Sequence, residues 1–392
     1  MFTTASLSLS GSSTAAFTVT PNTALFGMSA SRTQTADTSA AGLTGTVTFT
    51  TPGGTVVAQY GGSNNYNTNS TKDGQTTTNG DLTITSSTDP ALTNAGGGSF
   101  KDFSQAAGLS YTNFGQWNLS PCANTASCLP TYVGVYAGGA PGQSPTPIAS
   151  MPTTGTATYS GGAYGLVTLA STSTNGVASV SDFYGTSNLT ANFATGGITG
   201  SITGINAYSV GGGSGQTLYG TLNTIGLTAK ISGSSFAGTT SVTGGAGTAT
   251  AFDLTGATGK ISGAFYGPTA QEAAAVFSLS GGNNGVQLVG ALGAKLAPVV
   301  SDRRLKTDIA PAGTLPNGLK LYRWRYRGEK HHFVGVMAQD LLADQRFAGA
   351  VIVDADGLMR VDYDAVGYHP ADFARMSAEG EQAVARYRRT KR

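Results

Sequence analysis

The chain has 392 residues, of which 57 are Gly and only 11% are charged. Gly runs at about twice its usual share and charge at under half the usual level, which excludes classical disorder, since that needs high net charge to resist collapse. There is no unbroken apolar run of 18 residues, so no transmembrane helix is read, and the glycines follow no three-residue period, which excludes collagen. What remains is a mainly β chain, rich in Gly, Ser and Thr and long enough for two or three domains.

The net charge of +2 hides an asymmetry. Residues 1–300 hold 6 Lys and Arg against 8 Asp and Glu, whereas residues 301–392 hold 16 against 12. All three histidines (His331, His332 and His369) fall in the last segment. So abrupt a step marks a domain boundary near Ser301. The opening MFTTASLSLSGSSTAAF has neither a basic n-region nor a continuous apolar h-region, so no signal peptide is read there. With Cys122 and Cys128 as the only cysteines, no lipobox is read either.

Residues 1–150 read as short strands separated by long polar loops. TGTVTFTT and DLTITSS alternate with period two, and the turn-rich QYGGSNNYNTNSTKDGQTTTNGD between them has no hydrophobic periodicity. FGQWNLSP places Trp117 where it can anchor a small core beside the cysteines. In SPCANTASCLP, Cys122 and Cys128 suit a short disulfide loop in an oxidising location; two reduced thiols are the other reading. No Cys or His lies near enough to complete a zinc site.

From about Gly155, strand-like pieces recur every 8–14 residues: TATYSG, AYGLVTLA, NLTANFA, ITGSITG, LYGTLN, LTAKISG, FAGTTSV, KISGAFYG, AAVFSLSG and VQLVGALGAK. Small residues alternating with larger ones suit a small closed barrel, and closure removes edges on which so many strands would aggregate. A small up-and-down antiparallel barrel of about eight strands is expected over 151–299, with a sandwich as the second choice. It contains no His and hardly any paired carboxylates, so no metal and no cofactor is expected.

The stretch GKISGAFYGPTAQEAAAVFSLSGG, followed by VGALGAK, resembles the closing strands of the barrel in transferrin-binding protein B and related bacterial surface binders. Gly263, Phe265, Tyr266, Gly267, Pro268, Glu272, Phe277, Gly290, Gly293, Ala294 and Lys295 carry the likeness, which covers about 154–296 and is concentrated in the last forty residues. It implies a barrel paired with a handle, here residues 1–150. It also implies a surface location and a host or cell-surface protein ligand, such as an iron carrier or haem-bearing protein. The binding loops cannot be aligned, so the architecture carries over and the ligand does not.

The charged segment opens SDRRLKTDI, continues through LYRWRY and VGVMAQD, and reaches VDY. These motifs, in this order over about 66 residues, resemble the intramolecular chaperone autoprocessing domain at the C-termini of phage endosialidase tailspikes, tail fibres and some bacterial proteins. The resemblance implies a small α+β domain over 301–392. It also implies a Ser–Lys dyad of Ser301 and Lys306 that cuts between Val300 and Ser301, and an extracellular, cell-surface or virion setting. A serine is a poor nucleophile until a base takes its proton, and a lysine is that base only when its pKa falls far below ~10.4. Arg303 and Arg304 are candidates to lower it, whereas Asp302 facing Lys306 would act oppositely and is read as positioning. In an extended segment the two side chains point to opposite faces, so a turn or a second subunit must join them. A solvated charged turn in a domain that has lost cleavage is the bland alternative.

Gln339 matches a family position and is read either as orienting the site or as a buried amide tying strand to loop. His331 and His332 are read as a hairpin tip. YRWRYR predicts one strand with Tyr322, Trp324 and Tyr326 inward and Arg323, Arg325 and Arg327 outward, and no nucleic-acid partner is expected. The relatives imply a homotrimer, from which the short polar tail, with His369–Pro370 and Gly380, departs. That tail is weakly helical and ends in a frayed RYRRTKR. Residues 1–300 hold too few carboxylates to mark the acid and base of a glycan hydrolase. The expectation is a surface-exposed β-barrel protein whose C-terminal domain assists folding and self-cleaves. The alternative is a non-cleaving surface binder with an inert C-terminal module.

Overall fold

The computed structural model describes residues 3–8, 20–21, 45–51, 53–60, 67–72, 75–92, 96–104, 106–121, 132–140, 143–168, 180–209, 218–245, 247–368, 370 and 372–391. Among the described residues strands far outweigh helices, so the fold is mainly β, as the composition predicts. Two compact units are present. One comprises Met1–Met151, Tyr159–Leu189 and Gly197–Lys295, and the other Pro152–Thr158, Thr190–Gly196 and Leu296–Arg392.

In the first unit, the N-terminal segment forms a nine-stranded sheet. Strands Gly45–Thr51, Gly54–Tyr60, Gln75–Ser87, Gly97–Asp102, Thr112–Ser120 and Tyr132–Gly139 pair in an antiparallel meander, and Thr3–Ser8 returns beside Tyr132–Gly139. The period-two alternation buries Phe49, Leu82 and Ile84 with Trp117, whose ring lies 4.9 Å from that of Phe49. The polar stretch between the two alternating segments is not all loop, since Asn67–Lys72 pairs with Gln75–Ser87. Its Asn and Thr side chains carry no apolar alternation. The hairpin signal there is the Asp73–Gly74 dipeptide that follows the strand in sequence.

Eight strands close the barrel in sequence order: Thr156–Thr168, Val180–Asn192, Gly197–Ser209, Ile225–Ser232, Ser235–Val242, Thr258–Tyr266, Glu272–Leu279 and Gln287–Leu296, the last pairing with the first. TATYSG and AYGLVTLA are one continuous strand, and LYGTLN yields only the short Leu218–Thr221, which hangs on Gly197–Ser209 outside the ring. That is why ten rhythmic pieces give eight barrel strands.

Glu272–Leu279 is buried along its whole length, because it has a covered face on either side. Alternation puts Ala274 and Val276 on the face that packs with Phe103, Phe114 and Val135 of the N-terminal sheet, and Ala273, Ala275 and Phe277 on the other. Small residues set how closely the sheet approaches. A Cβ at Gly293 would stand 2.5 Å from both Leu109 Cδ1 and Phe114 Cδ1, closer than carbon atoms tolerate. Glu272 fixes the same junction by accepting from the Ser110 N–H (2.6 Å), the Tyr111 N–H (2.9 Å) and the Thr112 hydroxyl (2.8 Å).

The second unit is α+β. Val299–Val300, Met359–Val361 and Val351–Val353 form one three-stranded sheet, and Lys306–Thr314, Lys320–Tyr326 and Phe333–Gly335 another. Helices Ala338–Leu342, Tyr363–Val366 and Phe373–Thr390 complete it. Its core gathers Trp324, Tyr326, Phe333, Met337, Leu341 and Met376. Trp324 and Tyr326 are buried, Tyr322 is half-buried, and Arg323 and Arg327 are exposed, as the alternation of YRWRYR predicts, whereas Arg325 is half-buried, bound to Asp308 and the Glu329 carbonyl. His331 and His332 lie in the connection between Lys320–Tyr326 and Phe333–Gly335, within 3.2 Å of Asp372 and 3.8 Å of Asp308 respectively.

The tail differs from its reading as weakly helical with a frayed end. Phe373–Thr390 is one helix that runs straight through Gly380. A Cβ at Gly380 would meet the Tyr326 hydroxyl at 2.8 Å and Val300 Cβ at 3.2 Å, so glycine there lets the helix backbone lie directly on the strands beneath it. The residue that weakens the helix in isolation is the one that lets it dock. Cys122, Cys128 and His369 lie outside the described residues. Among the described residues, no helix is long and apolar enough to cross a membrane.

Candidate functional site

The segment that joins Ser301 to Lys306 is not extended. Arg303–Leu305 form a 3-10 turn, capped by Asp302, whose carboxylate accepts the Arg304 N–H at 2.9 Å. The turn cancels the alternation that would place the two side chains on opposite faces. Lys306 Nζ stands 2.8 Å from Ser301 Oγ within a single chain. Neither residue is more than 1% exposed.

Three further groups enclose the amine. The Val336 carbonyl accepts from Lys306 Nζ at 3.0 Å and from the Ser301 hydroxyl at 2.8 Å, Met337 Sδ lies 3.6 Å from Nζ, and the Trp324 ring centre lies 3.8 Å away. Burial drives the Lys306 pKa well below its ordinary value; Asp302 opposes this, Arg303 adds to it, and Asp340 opposes it more weakly. In the charged state Nζ donates to Ser301. Once the amine is neutral, the same 2.8 Å contact serves with its direction reversed, and the serine proton points at a base. The Tyr363 hydroxyl is buried in the same unit without a hydrogen-bond partner of ordinary geometry. Burial raises its pKa, while the Ser301 hydroxyl pulls the other way.

Asp302 does not act on the amine by contact. Its two oxygens accept from Arg304 Nε (3.0 Å) and Nη2 (2.7 Å), from Gln339 Nε2 (2.9 Å) and from the Met359 N–H (3.2 Å). Burial opposes its charge, but the Arg304 and Gln339 bonds outweigh that and hold the carboxyl below its ordinary range. Arg304, a candidate for lowering the lysine, is instead committed to Asp302. Gln339 also accepts the Arg303 N–H at 3.0 Å, so one amide spans the turn and helix Ala338–Leu342. The amide is half-buried rather than buried, and the two bonds tie a helix to the turn rather than a strand to a loop.

The Val300–Ser301 peptide is held on every side. The Ser301 N–H donates to the Met359 carbonyl at 3.0 Å, the Ser301 carbonyl accepts the Ala338 N–H at 3.0 Å, and the Val300 carbonyl accepts the Tyr326 hydroxyl. Sequence reasoning singled out neither Trp324, Val336 nor Tyr326 for this site. The usable signal was the set of spaced motifs itself, because SDRRLK, LYRWRY, VGVMAQD and VDY all converge here. Among the described residues, no three His, Cys, Asp or Glu side chains converge in a group that would hold a metal ion.

With this geometry in place, comparison with known proteins finds two matches. Residues 151–296 match the family model described as the C-lobe and N-lobe β-barrels of Tf-binding protein B, and residues 301–351 match the chaperone of endosialidase. The molecule joins a barrel similar to those of Tf-binding protein B to a segment similar to the chaperone of endosialidase. The family match on the barrel contains the closed eight-stranded ring, and that on the chaperone module contains Ser301, Lys306 and Gln339.

No curated protein matches the chain. Among solved structures, a transferrin-binding protein B variant from Haemophilus parasuis Hp5 is 16% identical, over 65% of this chain and 50% of its own, with a TM-score of 0.34. Intact Ap-TbpB, with both lobes, is 12% identical over 76% of this chain and 78% of its own, with a TM-score of 0.33. The isotype 1 protein of serogroup B Neisseria meningitidis is 16% identical over 52% of this chain and 35% of its own, with a TM-score of 0.31. The chain therefore spans half the length of the H. parasuis protein. Likenesses this distant carry no argument, and the barrel stands on its strand pairing and its family match.

Proposed function

We propose that the C-terminal module assists the folding of the β-rich chain before it and then cuts the Val300–Ser301 bond, in a protein carried at a cell or virion surface. Ser301 is the nucleophile and Lys306 the base. The 2.8 Å contact between Lys306 Nζ and Ser301 Oγ, inside a site that excludes water, carries this reading.

The neutral Lys306 amine takes the Ser301 hydroxyl proton as Oγ bonds to the Val300 carbonyl carbon, and the carbonyl electron pair moves onto its oxygen. When that pair returns, the Val300–Ser301 C–N bond breaks and the Ser301 nitrogen receives the proton from Lys306. The product is an ester between Val300 and Ser301 Oγ. Water then hydrolyses the ester to a Val300 carboxylate and a free Ser301 N-terminus. The dyad is complete in one chain, so the reaction as written needs no second copy.

A helper made last suits this topology. The barrel closes by pairing Thr156–Thr168 with Gln287–Leu296, and the N-terminal sheet pairs Thr3–Ser8 with Tyr132–Gly139. Such distant pairings form slowly and leave edges open meanwhile. Cutting after folding removes the helper and traps the product kinetically. N-terminal sequencing of the smaller fragment tests the assignment. It should begin Ser-Asp-Arg-Arg-Leu-Lys and be missing from Ser301→Ala; any other start overturns the cleavage point.

The match of residues 151–296 to Tf-binding protein B barrels favours a second reading, a surface binder whose ligand is a host protein of the iron-carrier class. Surface plasmon resonance of full-length Ser301→Ala over immobilised transferrin should give saturable binding, and a flat response would count against it.

A further inference from the structure

The geometry assigns Tyr326 a direct part in the cleavage, as the hydrogen-bond donor that holds the negative charge on the Val300 carbonyl oxygen while Ser301 attacks. This inference rests on the Ser301–Lys306 reading above and adds the group that reading leaves unnamed, the stabiliser of the oxyanion.

Val300 pairs with Arg360 across the short antiparallel ladder, and the ladder bond beside it runs from the Ser301 N–H to the Met359 carbonyl. In that pattern Val300 turns its own carbonyl away from the Met359–Val361 strand. The oxygen needs another partner, and it accepts the Tyr326 hydroxyl. Tyr326 is fully buried at the end of Lys320–Tyr326, and its ring is held by Trp324 (4.7 Å, 74° between planes) and Phe333 (5.9 Å). Trp324 is also the ring against Lys306 Nζ, so one strand presents the support of the base and the donor to the carbonyl side by side.

A donor fixed before the reaction loses nothing to reorganisation, and away from water its bond to a full negative charge is much stronger than its bond to a carbonyl. That difference lowers the barrier, since equal stabilisation of ground and transition states would not. Burial pushes the Tyr326 pKa well up, which keeps the proton on the hydroxyl and its role that of a donor. Helix Phe373–Thr390 covers the pair, and the missing side chain at Gly380 leaves room for the hydroxyl. The sequence alternation explains only the burial of the ring. An apolar phenylalanine would satisfy it equally, so the hydroxyl is what the chemistry uses.

The test is a time course of intact mass for full-length wild type, Tyr326→Phe, Gly380→Ala and Ser301→Ala refolding from denaturant, with near-ultraviolet circular dichroism to check packing. The expected result is cleavage at the same bond in Tyr326→Phe, slower by about 10²–10³-fold, the range for loss of one oxyanion donor. The pH midpoint should not move, because Lys306 is untouched. Gly380→Ala, which crowds the same hydroxyl, should also be slow, and it stands in for Tyr326→Phe if the latter does not pack. Cleavage of packed Tyr326→Phe at the wild-type rate overturns the inference and leaves the dyad intact. A shifted pH midpoint in the slow variant also overturns it, by tracing the effect to the base. Wild type that stays whole sinks the dyad reading, and this inference with it.

Discussion

Lys306 Nζ lies 3.8 Å from the centre of the Trp324 ring, and the two bear on the charge of that amine in opposite ways. The face of an indole attracts a cation, whereas removal from water penalises it. Burial dominates, and the amine titrates well below 10.5. Exclusion of water lowers the lysine pKa in the direction that the proposed role of base requires, with only minor help from Arg303.

Cleavage should therefore accelerate with pH. Below the depressed Lys306 pKa the amine is protonated and cannot accept the Ser301 proton, and above it the rate levels off. Single-turnover rates during refolding should rise through a midpoint well under 10.5 and then plateau; a midpoint at the ordinary lysine value would contradict this. Stability follows the same sign. Between the folded and unfolded pKa values the unfolded chain binds more protons, so the module gains stability as pH rises through that window. Lys306→Arg keeps the charge, lacks a base, and should leave the chain whole.

Asp302 is the mechanical centre of the turn. Asp302→Ala strips partners from Arg304, Gln339 and the half-buried Met359 N–H. Losing a charged acceptor of this kind should cost about 2–3 kcal/mol. Urea unfolding of Asp302→Ala in a Lys306→Ala background, which keeps the chain intact, measures it. Gln339→Ala, losing one neutral amide, should cost about 1 kcal/mol. Equal losses in the two variants would contradict the ranking.

Gly380→Ala is a sharper discriminator. In an exposed helix this change stabilises by about 1 kcal/mol. Here the new methyl stands 2.8 Å from the Tyr326 hydroxyl, so the module should unfold at lower denaturant than wild type in the same Lys306→Ala background. A gain in stability would show that the helix does not dock as described.

The barrel junction offers an independent test. Glu272→Ala removes the charged acceptor of the Ser110 and Tyr111 N–H groups and should destabilise the first unit by about 3 kcal/mol, read by thermal unfolding. Burial raises the Glu272 pKa despite those bonds, so the folded unit holds this proton more tightly than the unfolded chain. The Glu272 contribution is complete below the ordinary carboxylate range and declines as pH rises through the folded pKa.

The barrel was legible because its strands alternate small and large residues and its turns carry Gly, both local signals. The C-terminal site was legible as spaced motifs, but its assembly was not. Nothing local in SDRRLK distinguishes an extended strand from the 3-10 turn that Asp302 caps, and that turn decides whether Ser301 and Lys306 meet. Gly380 read as a helix breaker because its use depends on Tyr326, more than fifty residues earlier in the chain. Glu272 read as a family signature, and its partners at Ser110–Thr112 are likewise distant in sequence. Periodicity reports which side of an element is buried, and it is silent on what that side touches.

The central claim is tested most directly by the intact mass of freshly expressed full-length protein beside Ser301→Ala and Lys306→Ala. Self-cleavage gives fragments of residues 1–300 and 301–392 in the wild type, with both variants uncut. A single whole-chain mass in all three would contradict it, and would leave the barrel as the seat of function.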